Sequence, residues 1–149
     1  MIESEFSRRV SKIQEQRRGR NCISAVLYVL ECIVEEKYVD PHSNLTLHHL
    51  EEIGNIPIVG NILVPEQAQA VGLWDQQKQY YIHLAFFDQD HPETNQLLER
   101  PQWNRALTPP IDLRAFRHRY INKYPERLGK TYHLHFLKKR DKVKPSIVK

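Results

Sequence analysis

Cys22 stands at the start of an apolar stretch whose pattern predicts a buried helix. At a helix N-terminus, free backbone N–H groups and the helix dipole favour the thiolate, which is the nucleophilic form of cysteine. A thiolate nucleophile also needs an imidazole base and an acid that orients the base. His83 lies within the clearest predicted strand, and Asp88 and Asp90 follow just beyond the end of that strand. These residue types together form a candidate set for nucleophilic catalysis.

A side-chain amide, Gln16, lies six residues before Cys22. With it, the arrangement resembles the papain-like cysteine hydrolases, which include viral leader proteases and small bacterial amidases. In that fold an upstream Gln or Asn helps to form the oxyanion hole, the nucleophile begins a buried helix, and a later strand carries the His. The resemblance implies that Gln16 is the oxyanion donor, Cys22 the nucleophile, His83 the base, and Asp88 or Asp90 the orienting acid.

The same two central residues also have a purely structural interpretation. Free cysteines in apolar helices usually pack as small core residues, and His83 stands close to Tyr81 and Phe87 in its strand. The distance between the Cys22 sulfur and the His83 ring separates the two interpretations. A separation of about 3–4 Å favours a hydrolase.

Charge is unevenly distributed along the 149 residues, whose formal net charge is +4. Residues 21–100 hold three Lys or Arg against twelve Asp or Glu, a net charge of −9. Residues 101–149 hold thirteen Lys or Arg against three Asp or Glu, a net charge of +10. The basic segment can bind an external polyanion, or it can fold back onto the acidic surface of its own chain.

The first of these possibilities gives the function that we expect from the sequence, a module that binds nucleic acid or an acidic protein, with the papain-like hydrolase as the alternative. A helix predicted over 111–124 places three basic side chains on one face by i, i+3, i+4 spacing. Because no helix-turn-helix, zinc-finger or RNA-motif signature is present, we expect contacts mainly with the phosphate backbone. The residues expected to make them are Arg114, Arg117, His118, Lys138, Lys139, Arg140 and Lys142.

His133 and His135 alternate along a predicted strand and are weak candidates for a divalent metal site. The pair resembles the His-hydrophobic-His motif of single-strand nicking enzymes of the HUH class. No Cys-rich zinc spacing and no Gly-rich phosphate loop occur in the sequence. We therefore expect no cofactor.

The hydrophobic periodicity predicts the elements that would position these residues. Asn21 is a plausible N-cap for the central helix, and Gly60-Asn61 is typical of a hairpin turn. The predicted helices are 3–18, 22–37, 45–53 and 111–124, and the predicted strands are 79–87, 130–137 and a hairpin within 56–65.

Together these elements predict one α+β domain over 1–137, with a buried central helix packed on a small, mostly antiparallel sheet. A basic tail over 138–149 is expected to be mobile unless a partner orders it. No apolar run approaches the roughly 20 residues that cross a bilayer, and the N-terminus lacks a signal-peptide pattern. Cys22 and Cys32 are too far apart in the predicted helix for a disulfide, which indicates the cytoplasm or another reducing compartment.

Overall fold

The chain folds into one α+β domain, in a computed structural model that describes residues 3–149. Its six-stranded sheet has the spatial order β1-β6-β2-β3-β4-β5, and every neighbouring pair of strands is antiparallel. The helices are α1 (Glu5–Glu15), α2 (Cys22–Val29), α3 (Leu45–His49) and α4 (Leu113–Lys123). The strands are β1 (Leu50–Asn55), β2 (Ala70–Asp75), β3 (Tyr80–Phe87), β4 (Gln96–Leu98), β5 (Ile111–Asp112) and β6 (Tyr132–Lys139). The predicted α+β class is confirmed.

The two faces of the sheet carry separate apolar cores. Helices α1 and α2 cover one face, where Ile13 and most of α2 pack against Leu84 and Phe86. Helix α4 covers the other face through Phe116 and Tyr120. The central strands β2, β3 and β6 are therefore mostly buried on both sides. The start of α2 and helix α4 line the same pocket beside strand β3.

Helix α2 is buried, as predicted, but it is shorter than the predicted helix over 22–37. It ends because Glu31 adopts a left-handed conformation with φ of 62°, and the Cys32 N–H then donates to the Leu27 carbonyl at 2.7 Å. This closure is the Schellman motif, in which glycine is the usual left-handed residue. Since the sequence has glutamate at that position, nothing in its pattern marked the end of the helix.

Two further predicted elements are wrong in part or in full. The predicted helix over 45–53 ends at His49, and the chain continues directly as strand β1. The predicted hairpin within 56–65 contains no strand. Conversely, β2 is a central strand that the sequence analysis missed. All six of its residues are buried, so it lacks the alternation of polar and apolar residues by which a half-exposed strand is recognised.

Strand β3 carries a bulge that changes which side chains share a face. Its pairing with β2 shifts between Leu73, which faces His83, and Trp74, which faces Tyr81, so Ile82 is the extra residue. Period-two alternation predicts Tyr81 and His83 on the same face, and the bulge moves them to opposite faces. His83 consequently points toward the α4 side of the sheet, where its ring lies 6.1 Å from that of Tyr120.

The C-terminal residues run back along the body of the domain. The Ser146 N–H donates to the Cys32 carbonyl at 2.9 Å, and the Val34 N–H donates to the Ser146 carbonyl at 3.0 Å. The Ser146 hydroxyl also lies 2.8 Å from Nε2 of the buried His49, and Val148 packs against the core that contains α2. Within residues 3–149, no helix has the length and apolar character needed to cross a membrane.

Candidate active site

A pocket of about 740 Å³ lies where the start of α2, strand β3, the segment after β4 and helix α4 meet. Strand β4 pairs with β3 only at Phe86 and Phe87, which leaves the edge of β3 beside His83 without a neighbouring strand. The N-terminus of α2 fills this gap. Cys22 and His83 therefore both line the pocket.

Cys22 is the first residue of α2, and the turn before it is fixed by a capping box. The Asn21 side chain accepts the Ser24 N–H at 2.9 Å, and the Asn21 N–H donates back to the Ser24 hydroxyl at 3.0 Å. The Asn21 amide also donates to the Val39 carbonyl at 2.7 Å. These bonds hold a partly exposed thiol at the positive end of a helix that is otherwise buried.

The environment of Cys22 favours its thiolate. Burial acts to raise the pKa of the thiol, but the positive charge of His83 and a hydrogen bond with its ring lower it. Backbone N–H groups of Leu84 and Ile23 lower it further, and the net pKa of Cys22 falls below the usual value for cysteine. Helix α2 and strand β3 thus place the thiol and the imidazole in the same pocket, close enough for the ring to lower the pKa of the thiol.

His83 is held from its other side by a buried carboxylate. Nε2 of His83 donates to Oε2 of Glu99 at 2.5 Å, and the Glu99 side chain is only 2% exposed. The second carboxylate oxygen, Oε1, accepts from Nη1 of Arg119 on α4. The polar chain thus runs from Cys22 through His83 and Glu99 to Arg119.

Glu99 replaces the acids that the sequence analysis proposed for this position. The carboxylate of Asp88 lies 3.0 Å from Nδ1 of His91 and accepts the Asp90 N–H, while Asp90 accepts the Ser4 hydroxyl at 2.8 Å. Both aspartates follow β3 at the end remote from His83. The expected orienting role of Asp88 or Asp90 is therefore corrected, since Glu99 returns along β4 to the middle of β3.

Gln16 also lies away from the thiol. It is exposed at the end of α1, whereas Gln102 is the glutamine that lines the pocket. The expectation that Gln16 helps to form an oxyanion hole is corrected by this placement. No pattern in the sequence indicated Glu99 or Gln102, because both lie in a stretch for which no helix or strand was predicted.

A buried ion pair fixes the start of α2 from below. The Arg100 guanidinium, fully buried, pairs with the carboxylate of Glu36. It donates to the carbonyls of Asn21 at 3.0 Å and Ile13 at 2.8 Å. The Ser24 hydroxyl donates to Glu36 at 2.7 Å. Arg100, the residue that follows Glu99, thereby connects α1 with the turn before Cys22.

The basic residues predicted to meet a polyanion have mixed placements. Arg117 donates to the carbonyls of Pro57 and Gly60, and Lys138 and Arg140 each lie 3.2 Å from Glu51. These three therefore contact the protein itself. The Lys139 ammonium lies 3.4 Å from the Glu31 carbonyl, while Arg114, His118 and Lys142 are exposed.

The candidate metal ligands His133 and His135 stack with ring centroids 6.5 Å apart. Nδ1 of His135 lies 2.9 Å from the Tyr81 hydroxyl, and Nε2 of His133 lies 3.0 Å from the Lys130 carbonyl. In the part of the chain that the structure describes, no group of three or more His, Cys, Asp or Glu side chains is arranged to hold a metal ion.

Comparison of the chain with protein-family models, with curated proteins and with solved structures finds no match. The chemistry of the pocket is therefore inferred from the residues that line it.

Proposed function

We propose that this protein is a cysteine hydrolase that cleaves an amide or ester through a thioester intermediate. Cys22 is the nucleophile, His83 the general acid and base, and Glu99 the residue that positions His83. The observation that carries the proposal is that Cys22 at the start of α2, His83 and the buried Glu99 line one pocket of about 740 Å³, in which the His83 ring is bonded to the Glu99 carboxylate. A cysteine packed as an inert core residue requires neither a basic partner nor access to a pocket.

The arrangement suits both halves of an acyl transfer. The Cys22 thiolate attacks the carbonyl carbon, a C–S bond forms, and the carbonyl π electrons move to oxygen. The oxyanion collapses, the bond to the leaving group breaks, and His83 gives its proton to the departing amine or alcohol. Water then loses a proton to His83 and attacks the thioester, which releases the acid and restores the thiolate–imidazolium pair.

The backbone contributes a donor for the oxyanion. Cys22 is the first residue of α2, so its N–H lies among the groups that have no partner within the helix. A donor of this kind, together with the helix dipole, stabilises negative charge that develops on the carbonyl oxygen. The Gln102 amide lines the same pocket and can add a second donor.

Residue-specific alkylation tests the activation of Cys22. We expect iodoacetamide to modify Cys22 with a pH midpoint below that of an ordinary thiol, measured by peptide mass spectrometry. Cys32 is an internal control, because burial raises its pKa to about 11. His83→Asn removes the imidazole and is expected to raise the Cys22 midpoint. An unreactive Cys22, or a midpoint that His83→Asn leaves unchanged, contradicts the proposal.

Turnover of an activated ester tests the acyl transfer itself. With p-nitrophenyl acetate we expect release of p-nitrophenolate and an acetyl adduct on Cys22 that decays with time. Cys22→Ala should abolish both, while Cys32→Ala should preserve them. Release of p-nitrophenolate at the same rate from the Cys22→Ala protein would place the reaction elsewhere and refute the assignment.

A further inference from the structure

The ionic groups of the pocket leave one positive charge without an internal counterpart. The charges of Cys22 and His83 sum to zero, whether their shared proton lies on the sulfur or on the ring. The charge of Glu99 is neutralised by Arg119. Lys123 is the remaining charged side chain among the pocket-lining residues, all of which belong to the described part of the chain. The substrate side of the pocket therefore carries a net charge of one positive unit.

The charge of Lys123 belongs to helix α4, which forms one wall of the pocket. Lys123 lies four residues after Arg119, so both side chains emerge on the same face of α4. The Lys123 ammonium lies 5.4 Å from the centroid of the Tyr124 ring, and the Tyr124 ring stacks at 6.3 Å on that of Tyr120. The cation thus lies over the face of an aromatic ring, and the Lys123 side chain is exposed.

Exposed aromatic side chains from outside α4 also line the pocket. Tyr38 is 49% exposed and Trp103 is 59% exposed, although both are large apolar groups. Together with Tyr120 and Tyr124 they line the same cavity as Cys22. Exposed aromatic side chains around a concave site commonly supply contact area for a ligand.

From these observations we infer that the substrate is an acyl compound with a carboxylate on the side that faces α4 and an apolar group on the side that faces Trp103. Lys123 is its specificity-determining residue. A peptide or amide with an acidic residue next to the bond that is cleaved has this chemistry. The inference rests on the proposed function, because it concerns the substrate of the same nucleophile.

A pair of alkylating probes that differ by one charge tests the inference. N-iodoacetylglycine carries a carboxylate, and N-iodoacetylglycinamide is its neutral counterpart. In each reaction the Cys22 sulfur forms a C–S bond to the methylene carbon, and iodide leaves with the electrons of the C–I bond. The rate for each probe is measured on Cys22 in the full chain by mass spectrometry.

Lys123→Gln is expected to lower the rate with the anionic probe by about two- to fivefold, the usual strength of an exposed charge pair. The rate with the neutral probe should stay unchanged, which also shows that the variant is folded. Arg114→Gln is the matched control, since Arg114 is an exposed cation on α4 that does not line the pocket. It should change neither rate.

The outcomes distinguish a wrong substrate class from a wrong nucleophile. Equal anionic-probe rates in the wild-type and Lys123→Gln proteins overturn the inferred substrate class. Equal losses in Lys123→Gln and Arg114→Gln also overturn it, because the effect would then come from overall charge. Failure of both probes to modify wild-type Cys22 would instead refute the proposed nucleophile.

Discussion

Two cysteines of this chain lie in opposite chemical environments. The His83 ring and backbone donors lower the pKa of Cys22 in spite of burial. Cys32 lies in the apolar core, where burial raises its pKa to about 11. Reactivity therefore depends on the neighbours of each sulfur atom, and the same protein contains both the activated thiol and its reference.

The carboxylate of Glu99 is expected to support the thiolate at a distance. Glu99→Gln keeps the shape of the side chain but removes the negative charge that lies 2.5 Å from Nε2 of His83. Because a neighbouring opposite charge commonly shifts an ionisation by a unit or more, we expect Cys22 alkylation at pH 7 to slow about tenfold. The measurement is the rate of Cys22 modification by iodoacetamide across pH.

Glu93→Gln is the control for this change, since Glu93 is an exposed acid that does not line the pocket. It should leave the Cys22 profile unaltered. If Glu99→Gln has the same profile as the wild-type protein, Glu99 does not position or polarise His83.

His83 of strand β3 faces the pocket only because of the bulge at Ile82. The bulge turns the Tyr81 ring onto the other face, above Gly72 of the paired strand β2. A Cβ atom on Gly72 would lie 2.6 Å from Tyr81 Cδ1 and 2.9 Å from Leu84 Cδ2. The absence of a side chain at Gly72 is thus what gives the displaced ring its space.

Gly72→Ala is therefore expected to lower the free energy of unfolding by about 1–3 kcal/mol, the usual cost of overpacking a core. Urea denaturation measures the change. Gly54→Ala is the matched control, because its Cβ would meet neighbours at 3.6 and 3.7 Å, which is ordinary contact. It should be neutral or stabilising by up to about 1 kcal/mol. Similar losses in both variants would contradict this account of the bulge.

At the scale of the whole molecule, the sequence predicted the class of the fold and only part of the site. Cys22 and His83 were recognisable because a cysteine at a helix start and a histidine in a strong strand are local signals. Glu99 was not, because its role depends on the path of β4 back to the middle of β3. The bulge at Ile82 and the left-handed conformation of Glu31 could not be predicted either. Neither residue type favours the conformation that it adopts, so each conformation depends on tertiary packing.

Part of the positive charge of the basic C-terminal segment is paired with acidic residues of the same chain. Lys138 and Arg140 on the basic C-terminal segment both contact Glu51 of the acidic middle segment, and Arg119 neutralises Glu99 inside the pocket. Folding back onto the chain therefore accounts for these residues. The contact with Glu99 also links the basic helix to the proposed chemistry, which the pattern of charges alone did not indicate.

The stability of the whole domain is expected to fall in mild acid. Burial is the main cause that lowers the pKa of His49 and of His135. A histidine with a lowered pKa binds more protons in the unfolded chain, so the free energy of unfolding decreases as the pH falls below about 6.5. His91 acts in the opposite direction through its hydrogen bond with Asp88, but it is exposed and screened by solvent.

Urea midpoints at pH 7.5 and pH 5.5 measure this dependence. His49→Gln should reduce the difference between the two midpoints, because one of the two buried titrating rings is removed. His118→Gln is the control, because the His118 side chain is exposed on α4 and is not among the causes that lower the pKa of His49 or His135. An identical pH dependence in the wild-type and His49→Gln proteins would exclude His49 as a source of acid sensitivity.

Glu99 and Arg100 are neighbours in the chain, yet each holds a different half of the site. Glu99 binds the His83 ring, and Arg100 binds the carbonyl of the residue that precedes Cys22. A local unfolding event confined to this dipeptide would therefore release the base and loosen the nucleophile together, while β1, β2 and β6 remained paired. The alkylation rate of Cys22 would then depend on the fraction of molecules in which Glu99 and Arg100 are in place. Molecules in which this segment is detached would have an unreactive thiol.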